Sequence, residues 1–190
     1  MTNLIDLLRN NRTLTLAEVR NVADVNQPNE KGVTPLMLAA NVCDDVNVLQ
    51  MLIDNGANVN ARDDIGRTAL MTAIIGNRVD NVRCLIKNGA NVNARALYEG
   101  QMPLIIACDM QNIDIEIVRA LLDAWAMVNA TDAPGANAIK VAIGKGRADV
   151  IELLIEYGAR INEDVLNLLS FYPDVAQTDI GKKMMATNLS

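Results

Sequence analysis

The sequence predicts an all-α solenoid of stacked helix pairs, and three observations carry that reading. First, the hexapeptide "GANVNA" stands at Gly56–Ala61 and again at Gly89–Ala94, with looser copies "VADVNQ" (Val22–Gln27), "WAMVNA" (Trp125–Ala130) and "GARINE" (Gly158–Glu163). The asparagines of this set, Asn26, Asn60, Asn93, Asn129 and Asn162, lie 34, 33, 36 and 33 residues apart. A period of that size marks a repeated supersecondary unit that cannot bury its apolar face alone and stacks on its neighbours. Second, each interval holds one turn-to-helix stretch: "GVTPLMLAA" from Gly32, "GRTALMTAI" from Gly66, "GQMPLIIAC" from Gly100 and "GANAIKVAI" from Gly135. Third, 51% of the 190 residues are hydrophobic but only 3% are aromatic. That composition suits a core of small aliphatic side chains between short helices.

Taken in order, each unit reads alike. A glycine-containing turn leads into a first helix opened by Thr34, Thr68 or Asn137, whose side chains are good N-caps. Pro35 and Pro103 fall just inside, where a missing N–H is harmless. Met102 replaces the capping hydroxyl in the third unit, so that cap is expected to be weaker. A polar turn and a second helix follow: "NVLQMLIDNG", "NVRCLIKNG", "EIVRALLDAW" and "DVIELLIEYG". Apolar residues there recur at helical spacing, as at Val150, Leu153 and Leu154, and form one buried stripe. Gly56, Gly89 and Gly158 then end the helix, in the left-handed conformation that needs no Cβ.

These motifs resemble the ankyrin repeat family. The resemblance rests on the T-P-L-x-x-A-A stretch, the L-L-x-x-G-A-x-V-N-A stretch and the spacing near 33, and covers about residues 23–162. It implies antiparallel helix pairs with a β-turn finger projecting from each, stacked into a curved solenoid. Four repeats are expected at about 27–60, 61–93, 94–129 and 130–162. Residues 1–26 would form an N-terminal helical capping repeat of two short helices, with Leu4, Leu7 and Leu8 facing inward. Residues 163–190 would form a C-terminal cap: one helix stopping before Pro173, then a second from Asp174 onward with a frayed tail.

Departures from the family pattern carry their own expectations. The family's histidine after T-P-L is replaced by Met37, Met71, Ile105 and Lys140, which removes a polar bond. The first and third units are longer than the second between cap and helix end, by one and two residues, and the turns "NVCDDVN" and "DMQNIDI" take up the excess. Asn77 and Gly146 fit the equivalent turn of the regular units, with positive φ. Trp125, the chain's single tryptophan, fills the slot of Gly56, Gly89 and Gly158, and Val22 fills it in the N-terminal cap. A tryptophan at positive φ is strained, so an altered helix end is expected there, with the indole plugging the adjoining repeat. Side-on binding of a partner is the other reading. The recurrent asparagines point to a loop-bracing hydrogen bond.

Composition narrows the function. With no histidine, Ser-His-Asp and Cys-His catalysis and the commonest zinc sites are excluded. The net charge of −6 argues against nucleic acid. No long apolar run argues for a membrane span and the N-terminus does not read as a signal peptide. Cys43, Cys84 and Cys108 are sparse and lack metal-site spacing, which fits reduced thiols in a cytoplasmic setting. Neither an activated thiol nor a calcium-loop pattern is present. No cofactor is expected, and the chain is expected to be a monomer.

The family resemblance implies a non-catalytic module that binds a protein partner through the concave surface of fingers and first helices. By alignment to the family, the specificity positions are Asn29, Glu30 and Lys31 in the first finger and Arg62, Asp63, Asp64 and Ile65 in the second. Leu97, Tyr98 and Glu99 follow in the third, then Thr131, Asp132 and Pro134 in the fourth. Tyr98 is the leading anchor, because tyrosine is enriched at interface hot spots. Asp44, Asp45, Asp109, Asp114 and Glu116 gather in the helix-connecting turns. They read either as a rim steering a partner with a basic surface or as residues favoured at helix N-termini. An inhibitor or immunity-type protein, a secreted effector and, last, an enzyme on a repeat scaffold are the alternatives.

Overall fold

Each expected helix is only two turns long, too short to persist in water by itself, so capping and stacking must hold the architecture. The computed structural model describes residues 4–9 and 24–187. Among them twelve helices follow one another: α1 (Leu4–Arg9), α2 (Pro35–Val42), α3 (Val46–Asp54), α4 (Ala69–Ile75), α5 (Val79–Lys87), α6 (Pro103–Asp109), α7 (Ile115–Asp123), α8 (Ala138–Gly144), α9 (Ala148–Glu156), α10 (Glu163–Ser170), α11 (Pro173–Ala176) and α12 (Asp179–Thr187). First helices pack in one row, α2 on α4 on α6 on α8 on α10, and second helices in another, α3 on α5 on α7 on α9 on α12. Leu36, Leu70, Leu104 and Ile139 of the first row and Leu49, Leu85, Leu121 and Leu154 of the second are buried in one continuous core. Leu4 and Leu8 join it from α1. The expected second helix of the N-terminal cap, the Leu7 side chain and Val22 lie outside the described residues.

The caps follow the sequence. Thr34, Thr68 and Asn137 accept from the backbone N–H groups of Met37 (3.3 Å), Met71 (3.4 Å) and Lys140 (3.1 Å), whereas Met102 makes no side-chain cap bond. In the histidine slot, the Met37 sulfur accepts weakly from the Thr34 N–H at 3.5 Å, so that position is not devoid of a polar contact.

The longer turns of the first and third units are stapled by their neighbours. Arg78 donates to the Asn41 carbonyl (3.1 Å) and pairs with Asp44, while buried Asn81 donates to the carbonyls of Ala40 (3.1 Å) and Cys43 (2.8 Å). Around the third-unit turn, Arg147 donates to the carbonyls of Gln111 (3.2 Å) and Ile113 (3.3 Å). From the other side Asn77, at φ 54°, donates to Asn112 and accepts from the Asp114 N–H.

An asparagine brace repeats along the stack. Asn26 donates to the Gly56 carbonyl and accepts from the Asn58 N–H. Asn60 does the same with Gly89 and Asn91, Asn93 with Trp125 and Met127, and Asn129 with Gly158 and Arg160. Asn162 departs from the series: its side chain caps α10 by accepting from Val165 at 3.1 Å. Each brace joins the end of one unit to the loop that closes the next.

Trp125 does not behave as expected. α7 ends as its counterparts do: Ala124 takes φ −88°, ψ 19°, beside −94°, 16° at Asn55 and −94°, 20° at Asn88. Trp125 then adopts φ 65° where Gly56, Gly89 and Gly158 take 90°, 83° and 86°. Its N–H donates to Leu122 and that of Ala126 to Leu121, matching Gly56 to Ile53 and Ala57 to Leu52. The indole is 87% exposed and plugs nothing. The closing loop is fixed by these bonds and by Asn93, so the backbone keeps the repeat geometry and the side chain is turned out to water.

The C-terminal cap also differs from expectation. Pro173 opens the short helix α11 instead of only ending α10, and α12 starts at Asp179. Gly181 permits the close crossing, since a Cβ there would lie 2.2 Å from the Val175 carbonyl oxygen.

Two stability predictions follow from this geometry. Asn60→Ala removes two inter-repeat bonds and is expected to destabilise the chain by about 1–2 kcal/mol in urea unfolding; an unchanged midpoint would show that the brace is idle. Trp125→Gly relieves left-handed strain and is expected to stabilise by about 1 kcal/mol, read as a higher thermal midpoint.

Candidate functional site

The exposed candidates sit on the fingers, and the fingers are tied into a continuous ribbon. Each closes on itself through a backbone bond: Asn29 to Val33, Asp63 to Arg67, Ala96 to Gln101 and Asp132 to Ala136. Each is also joined to the next, by Asp64 to Lys31 (3.2 Å), Leu97 to Ile65 (2.9 Å) and Ala133 to Glu99 (2.6 Å), the first-named residue donating. Arg62 adds a bond to the Arg95 carbonyl, and Arg95 one to the Thr131 carbonyl. The approach is tight enough that a Cβ on Gly66 (φ 77°) would come within 2.7 Å of the Leu97 nitrogen.

Within this ribbon the sequence-derived positions divide. Asn29 accepts from the N–H groups of Lys31 and Val33, Asp63 from those of Ile65 and Arg67, and Asp132 from that of Ala136. These three shape the turns. Ile65 is half-buried, and exposed Arg62 is engaged with the neighbouring finger. Glu30, Lys31, Asp64, Leu97, Tyr98, Glu99, Thr131 and Pro134 are exposed.

The third finger is distinct. It closes across one more residue than the others, lacks their bracing Asn or Asp because Ala96 holds that position, and turns through Glu99 (φ 57°) and Gly100 (φ 62°). At its wider tip Leu97 and Tyr98 are 69% and 71% exposed. Ile75, near the end of first helix α4, is 37% exposed. It escaped sequence reasoning because it falls in a continuous apolar run, "ALMTAII", that shows no polar face.

The acidic turn residues are accounted for by structure. Asp45 and Asp114 cap α3 and α7, accepting from Asn47 and Glu116. Asp44 pairs with Arg78, Asp109 with Lys145 at 3.0 Å, and Glu116 with Arg83 at 2.7 Å and Arg119 at 3.5 Å. Each of these carboxylates is thus engaged in helix capping or local pairing.

Burial raises the thiols of Cys43, Cys84 and Cys108, the last to about 12. Such thiols are protonated at neutral pH and packed as hydrophobes. Cys43 is half-buried, while the other two are buried. No helix among the described residues is long and apolar enough to cross a membrane.

A stack of capped helix pairs with a hydrogen-bonded ribbon of fingers defines a helical repeat protein. A family model for ankyrin repeats, described as three copies, matches residues 3–96 and 95–164. The chain belongs to the ankyrin repeat family, whose members generally mediate protein–protein interaction as non-catalytic scaffolds. Among curated proteins, the neurogenic locus notch homolog protein 1 of Xenopus laevis is 31% identical over 143 residues, 75% of this chain and 5% of that protein. The Mus musculus counterpart is 34% identical with the same coverage. The potassium channel AKT2/3 of Arabidopsis thaliana is 31% identical over 133 residues, 69% of this chain and 16% of the channel. The chain thus spans between a twentieth and a sixth of these relatives, matching only a part of each.

Beside the candidate surface, the Arg147 staple supplies a pH prediction. Hydrogen bonding to Arg147 holds the Asp149 carboxyl below its ordinary value of 3.8. The charged form is favoured by folding, so this contribution is present above about pH 4 and is lost as pH falls through the lowered value. Asp149→Asn is expected to flatten the acid limb of a stability–pH curve below pH 4 and leave neutral-pH slopes unaltered.

Proposed function

We propose that the chain is a non-catalytic interaction module that binds a protein partner through its finger ribbon and the adjoining face of its first helices, with Leu97 and Tyr98 as anchors. The observation that carries this reading is the third finger tip, where two large apolar side chains stand in water on a backbone fixed from both sides. A rigid scaffold that presents exposed aromatic and aliphatic groups suits an interface hot spot, because little ordering remains to be done on binding. Glu30, Lys31, Asp64, Glu99, Thr131 and Pro134 form the surrounding polar rim, and Ile75 extends the apolar surface along the first helices. Arg62, Asn29, Asp63, Ile65 and Asp132 act through the shape of the fingers.

Affinity capture from a native lysate of the source cells, paired with variants, tests this. Tyr98→Ala is expected to weaken capture of the partner by about 2 kcal/mol, roughly 30-fold, and Leu97→Ala/Tyr98→Ala to abolish it while the helical circular dichroism is retained. Equal capture by wild type and the double variant would overturn the assignment.

A further inference from the structure

A second surface lies on the row of second helices. Trp125 and Met127 flank buried Ala126 in the loop closing the third unit and are 87% and 60% exposed. The equivalent residues of the first two units serve the fold. At the Trp125 position stand glycines that take positive φ without strain. At the Met127 position stand Asn58 and Asn91, which brace their own turns by accepting from the N–H groups of Asn60 and Asn93. The third unit gives up both features and gains two large apolar side chains in water. Neither side chain supports the fold, since the Asn93 brace uses only the Trp125 carbonyl and the Met127 N–H. Strain held at an exposed residue points to a function outside the fold.

A groove of about 350 Å³ between α5 and α7 runs up to this loop, ending at Asp123 and Ala124, the residues directly before Trp125. Its apolar lining is Ile86, Ala120 and Ala124. Arg83, Lys87 and Arg119 also line it, against the carboxylates of Glu116 and Asp123. Both carboxylates are engaged, Glu116 by the two arginines and Asp123 by the Tyr157 hydroxyl. Lys87 has no ion-pair partner among the described residues. In a chain of net charge −6 the charges lining this groove thus leave an excess of one positive charge, at Lys87, beside an apolar lining that stops at the residue before the exposed Trp125.

We infer that the α5–α7 groove and the Trp125–Met127 loop together form a second docking site, for an acidic amphipathic segment of another protein. Such a segment seats apolar side chains on Ile86, Ala120, Ala124 and the indole, and sets its carboxylates against Lys87. This site is independent of the finger surface.

Trp125 is the chain's single tryptophan, so its fluorescence reports on this site alone. The probes are two synthetic peptides with leucines at identical helical spacing, one with glutamates at the remaining positions and one with lysines. The glutamate peptide is expected to shift the emission to the blue and shield it from acrylamide, and both effects should fade with added salt. Lys87→Glu is expected to weaken that binding at least about tenfold, and Tyr98→Ala to leave it unchanged. An unshifted emission, an equal response to the lysine peptide, or full binding by Lys87→Glu overturns the inference. So does loss of the response in Tyr98→Ala, which would show that the two surfaces are not independent. A blue shift on concentrating the protein alone would assign the site to a second copy of the chain, and likewise overturns it.

Discussion

Seven- to nine-residue helices are too short to be stable singly, and every other feature of this molecule answers to that constraint. Leu36, Leu70, Leu104 and Ile139 become buried only because a neighbouring unit covers each of them. Apolar contact is non-directional, so it does not by itself decide how one unit sits on the next. The recurrent asparagine supplies the direction. By engaging a carbonyl and an N–H two residues apart, it fixes the position of the next closing loop, and the backbone there must follow even where a tryptophan takes the place of glycine.

The same constraint explains where charge and length irregularities go. Units one and three have longer turns, and in each an arginine from the following unit reaches back to fill the carbonyls left open. Carboxylates in those turns are then drawn into capping and pairing, so that a cluster conspicuous in the sequence is largely consumed by the fold. Large apolar side chains left in water are few, with Leu97 and Tyr98 at a finger tip, Trp125 and Met127 in a closing loop, and Phe171 at the end of α10 among the most exposed.

Much of this was legible in the sequence because the period, caps and turn glycines act locally. Thr34, Thr68 and Asn137 cap as their residue types require, Met102, without an oxygen acceptor, makes no cap bond, and Asn77 takes a positive φ. What escaped reading depends on partners far away in the chain. Trp125 was legible as an anomaly, but part of what holds its conformation is Asn93, 32 residues earlier. Asn162 looks identical to its predecessors, yet it faces the C-terminal cap and turns to its own helix instead. Of the candidate binding positions, Asn29, Asp63 and Asp132 carry the residue types of a polar surface but spend their acceptors within the finger. Local pattern does not distinguish the two uses.

The asparagine brace has a polarity. Each one reaches from an earlier unit to a later one, from Asn26 to the Gly56 loop and onward to Asn129 and the Gly158 loop. A unit emerging from the ribosome therefore meets its clasp already synthesised, while the clasp it carries waits in water for the next. Removal of the last unit would uncover the apolar face beneath it but, of the braces, release only a solvated amide. Removal of the first would strip a loop of both its bonds. Each loop thus closes onto a side chain made before it.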